Sequence, residues 1–182
     1  MFTTLKDIPI IRELTDDMKV AELLGDHIAN MRGILDNTPT KDHVPILSIT
    51  SLERETLHVR QDIIAIANMD DDRHEMLRKL GSDFLKVGIP VVAVLFSEAW
   101  IRMVDPNEQE PYIRPSQDPN KKEVLSFTAM TLDLKSIGSI YYTKRDSEGN
   151  MKFGDLINDG EGGVESELLR QFFIGAIGGL VS

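Results

Sequence analysis

Apolar residues recur along this chain first at helical spacing, then in short runs, then at helical spacing again. A helix is predicted from Thr15. Thr15 can cap it, and Asp16 and Asp17 favour the positive end of the helix dipole. Ala21, Leu24, Ile28, Met31 and Leu35 then fall three and four apart and make one apolar face. Asp36-Asn37-Thr38-Pro39 ends the helix. Residues 1–14 alternate poorly and predict a short strand or an extended arm.

Val44 to Thr50 is a β-like run. The segment after it reads two ways. Thr50-Ser51-Leu52-Glu53 fits a capping box that opens a helix. Alternatively, Glu53-Arg54-Glu55 is a turn and Thr56 to Arg60 the second arm of a hairpin, which its Thr and Val content favours. Asp70-Asp71-Asp72 suits the start of a second helix. Met76, Leu77, Leu80, Phe84 and Leu85 give that helix its apolar face, and Gly88 with Pro90 stops it. Ile89 to Phe96 is apolar at nearly every position, so both of its faces are expected to be covered.

A polar, proline-punctuated loop over 101–121 follows. Val124 to Leu132 and Ile137 to Thr143 read as strands, and Met151 to Ile157 as a short fourth one. Asp146 to Asn150 is the clearest hairpin turn. Asn158 to Gly163 predicts a flexible acidic loop, and Glu165 to Val181 a closing apolar helix.

The pattern predicts one α+β domain over 1–182, with an antiparallel five- or six-stranded sheet packed with helices. The order α-β-β-α-β-β-β-α resembles that of profilin-like folds, the roadblock and longin class. That resemblance implies that Ile89 to Phe96 lies at a sheet edge. An apolar edge needs a cover, so a homodimer burying this edge or the closing helix is expected.

Composition narrows the function classes. The net charge of −10 disfavours nucleic-acid binding unless basic residues cluster, and basic doublets are few, Lys121-Lys122 and Lys144-Arg145 among them. The chain has no cysteine, so thiolate metal sites, disulfides and cysteine nucleophiles are excluded. This fits a reducing cytoplasm. The N-terminal stretch lacks the pattern of a signal peptide. The run from Phe172 to Val181 is shorter than the ~20 residues a membrane helix needs.

No P-loop, dinucleotide fingerprint, H-E-x-x-H, EF-hand or G-x-S-x-G motif is present. His27, His43, His58 and His74 are never three or four residues apart. No metal and no cofactor are therefore expected.

The place to look first is 97–123, where an apolar strand enters Ser97-Glu98-Ala99-Trp100 and then the long loop. The candidate binding residues are Ser97, Glu98, Trp100, Arg102, Arg114 and Asp118. Glu98 suits a general base and Ser97 a nucleophile, but a serine needs an adjacent base and no histidine is near in sequence. The structural alternative is that Glu98 pairs with Arg102 or Arg114 while Trp100 caps the core. Ser97-Glu98-Ala99-Trp100, Arg114-Pro115-Ser116-Gln117-Asp118-Pro119 and Lys122-Glu123-Val124-Leu125 together resemble a pattern in a group of uncharacterised bacterial and phage proteins. The resemblance implies that 97–123 is one local unit and implies no activity. Two function classes follow: a non-enzymatic interaction or small-ligand-binding module, or a hydrolase or transferase with its site at 97–123.

Overall fold

The computed structural model describes residues 9–53, 55–66, 72–102, 117–161 and 166–181. The first described element is a short helix, α1 (Pro9–Leu14), where the sequence suggested a strand or arm over 1–14; residues 1–8 lie outside the described residues. Pro9 suits a first helical position, since the N–H it lacks would have no partner there. Helix α2 (Asp17–Asn37) follows almost at once. Its N-cap is Asp16, which accepts from the Met18 N–H at 3.1 Å. Thr15 instead donates its hydroxyl to the Ile11 carbonyl at 2.9 Å, finishing α1.

Strands β1 (Ile46–Leu52) and β2 (Val59–Ala65) form a hairpin, but its second arm begins at Val59 rather than Thr56: Thr56, Leu57 and His58 lie in the connection, Leu57 with a left-handed φ of 55°. Helix α3 (Arg73–Phe84) leads to β3 (Ile89–Ile101), β4 (Lys122–Thr131), β5 (Ser136–Arg145) and β6 (Met151–Glu161), and α4 (Glu167–Val181) closes the chain. Asp72 flanks the start of α3 without a side-chain capping bond. Asp70 and Asp71 lie outside the described residues. The acidic segment expected to be a loop from Asn158 is strand as far as Glu161. It pairs with β5, Ile140 opposite Asn158.

All six strands form one antiparallel sheet in the order β2-β1-β3-β4-β5-β6. The fold is α+β, as expected, with four helices among the described residues. The strand after the central helix is not at an edge, as the profilin-like resemblance implied. β3 lies between β1 and β4. Because β2 and β3 both run antiparallel to β1, they are parallel to each other, and α3 carries the chain across between them. The argument for a dimer through Ile89 to Phe96 therefore loses its premise.

Burial explains why β3 takes the centre. Successive side chains of a strand face opposite sides, and β3 is apolar on both. Val92, Val94 and Phe96 join Leu125 and Phe127 under α1 and α2, which contribute Ile11, Val20, Leu24, Met31 and Leu35. Ala93 and Leu95 face α3 and α4, with Leu77, Phe84, Leu169, Phe172 and Phe173. The sheet thus sits between two helical layers.

The α3–α4 layer depends on close approach. A Cβ at Gly81 would lie 1.9 Å from the Phe172 carbonyl oxygen, and one at Gly175 would lie 1.8 Å from that of Arg78. The two glycines let the backbones touch, and Arg78 Nε then donates to Gln171 Oε1 at 2.9 Å.

Candidate functional site

The strand alternation that builds the core also distributes the candidate residues of 97–123. β3 continues as regular strand through Ser97-Glu98-Ala99-Trp100 to Ile101, each residue paired with β4. Glu98 and Trp100 follow Phe96 at steps of two and share its side of the sheet, the α2 side. Ser97 projects from the other side. A serine nucleophile served by its neighbouring glutamate is therefore excluded by the pleat.

Glu98 is half-buried, and its carboxylate accepts from the His43 backbone N–H. It does not take Arg102 as its partner. Arg102 pairs with Asp118 at 2.5 Å, and Asp118 is only 5% exposed. Asp118 also accepts from the Asn120 N–H at 2.7 Å. This closes the loop exit onto the strand end. Arg114 lies outside the described residues.

Trp100 does not cap the core either. It is 43% exposed, opposite Glu123 in the ladder. The Lys121 ammonium stands 4.4 Å from its ring centroid. Burial raises the Glu98 carboxyl above the ordinary glutamate range. The His43 N–H counters this, nearby Glu123 adds to it, and Arg145 lowers it.

The groups around Glu98 came from elements that sequence reasoning did not connect. Arg145, at the end of β5, pairs with Glu123, its Nε donating to Oε2 at 3.1 Å. Its Nη2 also donates to Glu123, and its Nη1 donates to the carbonyls of Lys41 and Gly149. The His43 ring stands edge-on to Phe96 with centroids 4.8 Å apart. Met151 N–H donates to the Thr40 carbonyl at 2.7 Å. Lys152 donates to the Leu35 and Asp36 carbonyls at the C-terminus of α2, at 2.8 and 3.2 Å. Together these contacts clasp the α2–β1 connection to the sheet. Only the three-dimensional pairing of strands brings His43, Glu98, Glu123 and Arg145 into one place.

Two cavities flank α2, and neither is lined by a candidate from 97–123. The larger holds about 570 Å³ between α2 and β5. Leu24, Ile28, Ile137 and Tyr141 make its apolar lining, and Asp17 and Arg32 are its charged residues. The Arg32 guanidinium carbon stands 4.9 Å from the Phe153 ring centroid and 5.7 Å from that of Tyr141. Asp17 is 3.6 Å from the Lys135 ammonium.

The helix wall of this cavity is low because Ala21, Gly25 and Ala29 follow one another at steps of four. That spacing was legible in the sequence, but only as helix periodicity. The volume appears only because one helix is too narrow to cover the strands beneath it.

The smaller cavity, about 290 Å³, lies on the other flank of α2 against β1 and β2. His27 sits at its rim, with Nδ1 2.8 Å from the Leu23 carbonyl. Nδ1 faces that carbonyl, and Nε2 stands 3.4 Å from the Gln61 amide nitrogen. The same amide nitrogen donates to Ser48 Oγ at 3.2 Å.

Among the described residues, no group of three or more His, Asp or Glu is placed to hold a metal ion. Among them also, no helix is long and apolar enough to cross a membrane. No curated protein and no solved structure matches the chain. A family model does, over residues 16–164, from the N-cap of α2 to the connection before α4. That span holds the whole sheet, the clasp around Glu98 and both cavities, and it agrees with the phage side of the resemblance carried by 97–123. The chain belongs to the family described as bacteriophage lambda protein ea47.

Proposed function

We propose that this chain is a non-enzymatic binding module that takes a small ligand in the cavity between α2 and β5. The observation that carries this reading is the cavity itself. Its volume of about 570 Å³ lies within the range usual for ligand sites, and an apolar lining combined with few charged groups is the usual composition of such a site. Arg32 stacks on aromatic rings and offers its guanidinium edge to an anion. The matching ligand has a flat apolar body and one carboxylate or phosphate.

The acidic chain disfavours nucleic acid as partner, and the absence of cysteine fits work in the cytoplasm. NMR titration with a set of aromatic carboxylates tests the site. The expected result is shift changes at Gly25, Ile137 and Tyr141. Gly25→Trp should abolish them without lowering the melting temperature, since a Cβ at Gly25 meets no atom within 4 Å. Ligands that bind elsewhere and ignore Gly25→Trp would overturn the reading.

One observation favours an enzyme instead, a hydrolase or transferase at 97–123: the raised Glu98 carboxyl, the kind of group that general acid–base chemistry uses. Turnover of an ester or phosphoester panel that vanishes in Glu98→Gln, with the fold intact, would move the assignment to this reading.

A further inference from the structure

The two outer strands of the sheet are built differently. β6 is irregular in its pairing with β5 at two places, near Tyr141 and Thr143, and it carries Lys152, Gly154 and Asp155. Breaks in register, charge and glycine are the devices that keep an edge from pairing with another chain. β2 has no break in register and no glycine, and its two charges, Arg60 and Asp62, offset each other. Its seven residues pair with β1 without a shift, and they include no proline, lysine or glycine. Val59 and Ile63 are exposed, Ile63 at 71%.

The direction of β2's backbone groups follows from the ends of the β1–β2 ladder. Ile66 N–H donates to the Pro45 carbonyl and Glu53 N–H to the His58 carbonyl. Even-numbered residues of β2 therefore bond to β1. Val59, Gln61, Ile63 and Ala65 turn their N–H and C=O groups toward the outer edge.

The side chains supply a second observation. Arg60 holds Asp62 through Oδ1, with Nη2 at 2.7 Å and Nε at 3.1 Å. Asp62 Oδ2 is buried and has no hydrogen-bond partner. A buried carboxylate oxygen left in this state is costly unless something completes it.

We propose that β2 pairs antiparallel with β2 of a second copy of this chain, about a two-fold axis at Gln61, making one continuous sheet across the dimer. In this register Val59 faces Ile63 of the other copy, and Arg60 faces Asp62 of the other copy. Each Asp62 then has two arginines, its own on Oδ1 and its partner's directly opposite across the new ladder. Edge-facing backbone groups allow only registers that set odd residues opposite odd ones. Of these, the axis at Asp62 sets the two Asp62 carboxylates against each other. The axis at Arg60 does the same to the two guanidiniums. Like charges directly opposite are destabilising, and axes at Val59 or Ile63 pair fewer of the seven β2 residues, so charge and ladder length together select the Gln61 axis. The interface is isologous and closes on itself. It does not depend on the ligand cavity at β5, on the far side of α2.

Charge reversal tests both the interface and the register. The wild-type chain should sediment as a dimer at micromolar concentration. Arg60→Glu and Asp62→Lys should each weaken self-association at least tenfold, because each sets like charges opposite. Mixed together, the two variants should form a one-to-one heterodimer, since every facing pair is again unlike. The mixture also shows that both variants are folded. A wild-type monomer at about 100 μM would overturn the proposal, whether or not β2 pairs with a strand of another protein. A wild-type dimer that both variants leave unchanged would overturn it equally, by placing the interface elsewhere.

Discussion

Glu98 shows how one residue's role passes from its local sequence to its surroundings. The strand pleat separates it from Ser97, and the His43 N–H gives it a partner from a distant loop. Burial favours its protonated form, so its pKa is higher folded than unfolded. Between the two values the folded state holds more protons, and stability falls as pH rises through that interval. Glu98→Gln keeps an acceptor for His43 and removes this slope. The variant should match the wild type near pH ~4, around the unfolded glutamate pKa, and exceed it at pH ~7. Glu98→Ala loses the acceptor and should be less stable than Glu98→Gln by about 1 kcal/mol. Urea unfolding of the three proteins across this pH range checks both statements. A Glu98→Gln protein with the wild-type pH slope contradicts them.

At the scale of elements, the glycines separate contacts from open helix surface. Gly81 and Gly33 both lie in helices, yet a Cβ at Gly81 collides with the α4 backbone and one at Gly33 meets nothing within 4 Å. Gly81→Ala should cost about 1–3 kcal/mol by forcing α3 from α4. Gly33→Ala should gain about 0.5–1 kcal/mol through helix propensity alone. Paired denaturant melts read the difference, and equal effects would show that the helices do not pack through Gly81. Sequence periodicity located α2, α3 and α4 but was silent on this contact. A glycine reads the same in a sequence whether a neighbouring backbone or water lies over it.

For the whole molecule, the order of strands sets where the fold is most protected. Amides of Val92 to Phe96 and Leu125 to Met130 lie in central strands with core on both faces. They should exchange with solvent only on global unfolding. Amides of Val59, Gln61 and Ile63 turn outward from β2 and should exchange fast at concentrations where the chain is monomeric. They should slow as concentration rises through dimer formation. Hydrogen exchange at two concentrations measures both, and slow exchange at β2 in the dilute sample would contradict this placement of the edge.

Helices α2, α3 and α4 and most strands were legible because they are written in local periodicity and turn chemistry, which need only neighbouring residues, whereas 51–66 left helix and hairpin both open and α1 read as a strand or arm. The double-sided burial of Ile89 to Phe96 was legible for the same reason: a strand apolar at every position has no side to give to water. Its central position was not, since an apolar strand reads alike beside any neighbour, and β2-α3-β3 crosses β1 by a choice made in packing. The site shows the same division. The sequence marked 97–123 as a junction of core and loop, and the strand carried Glu98 and Trp100 onto one face. The partners of Glu98 and the space beside α2 arise where segments far apart in the chain meet, and only tertiary packing decides which segments those are.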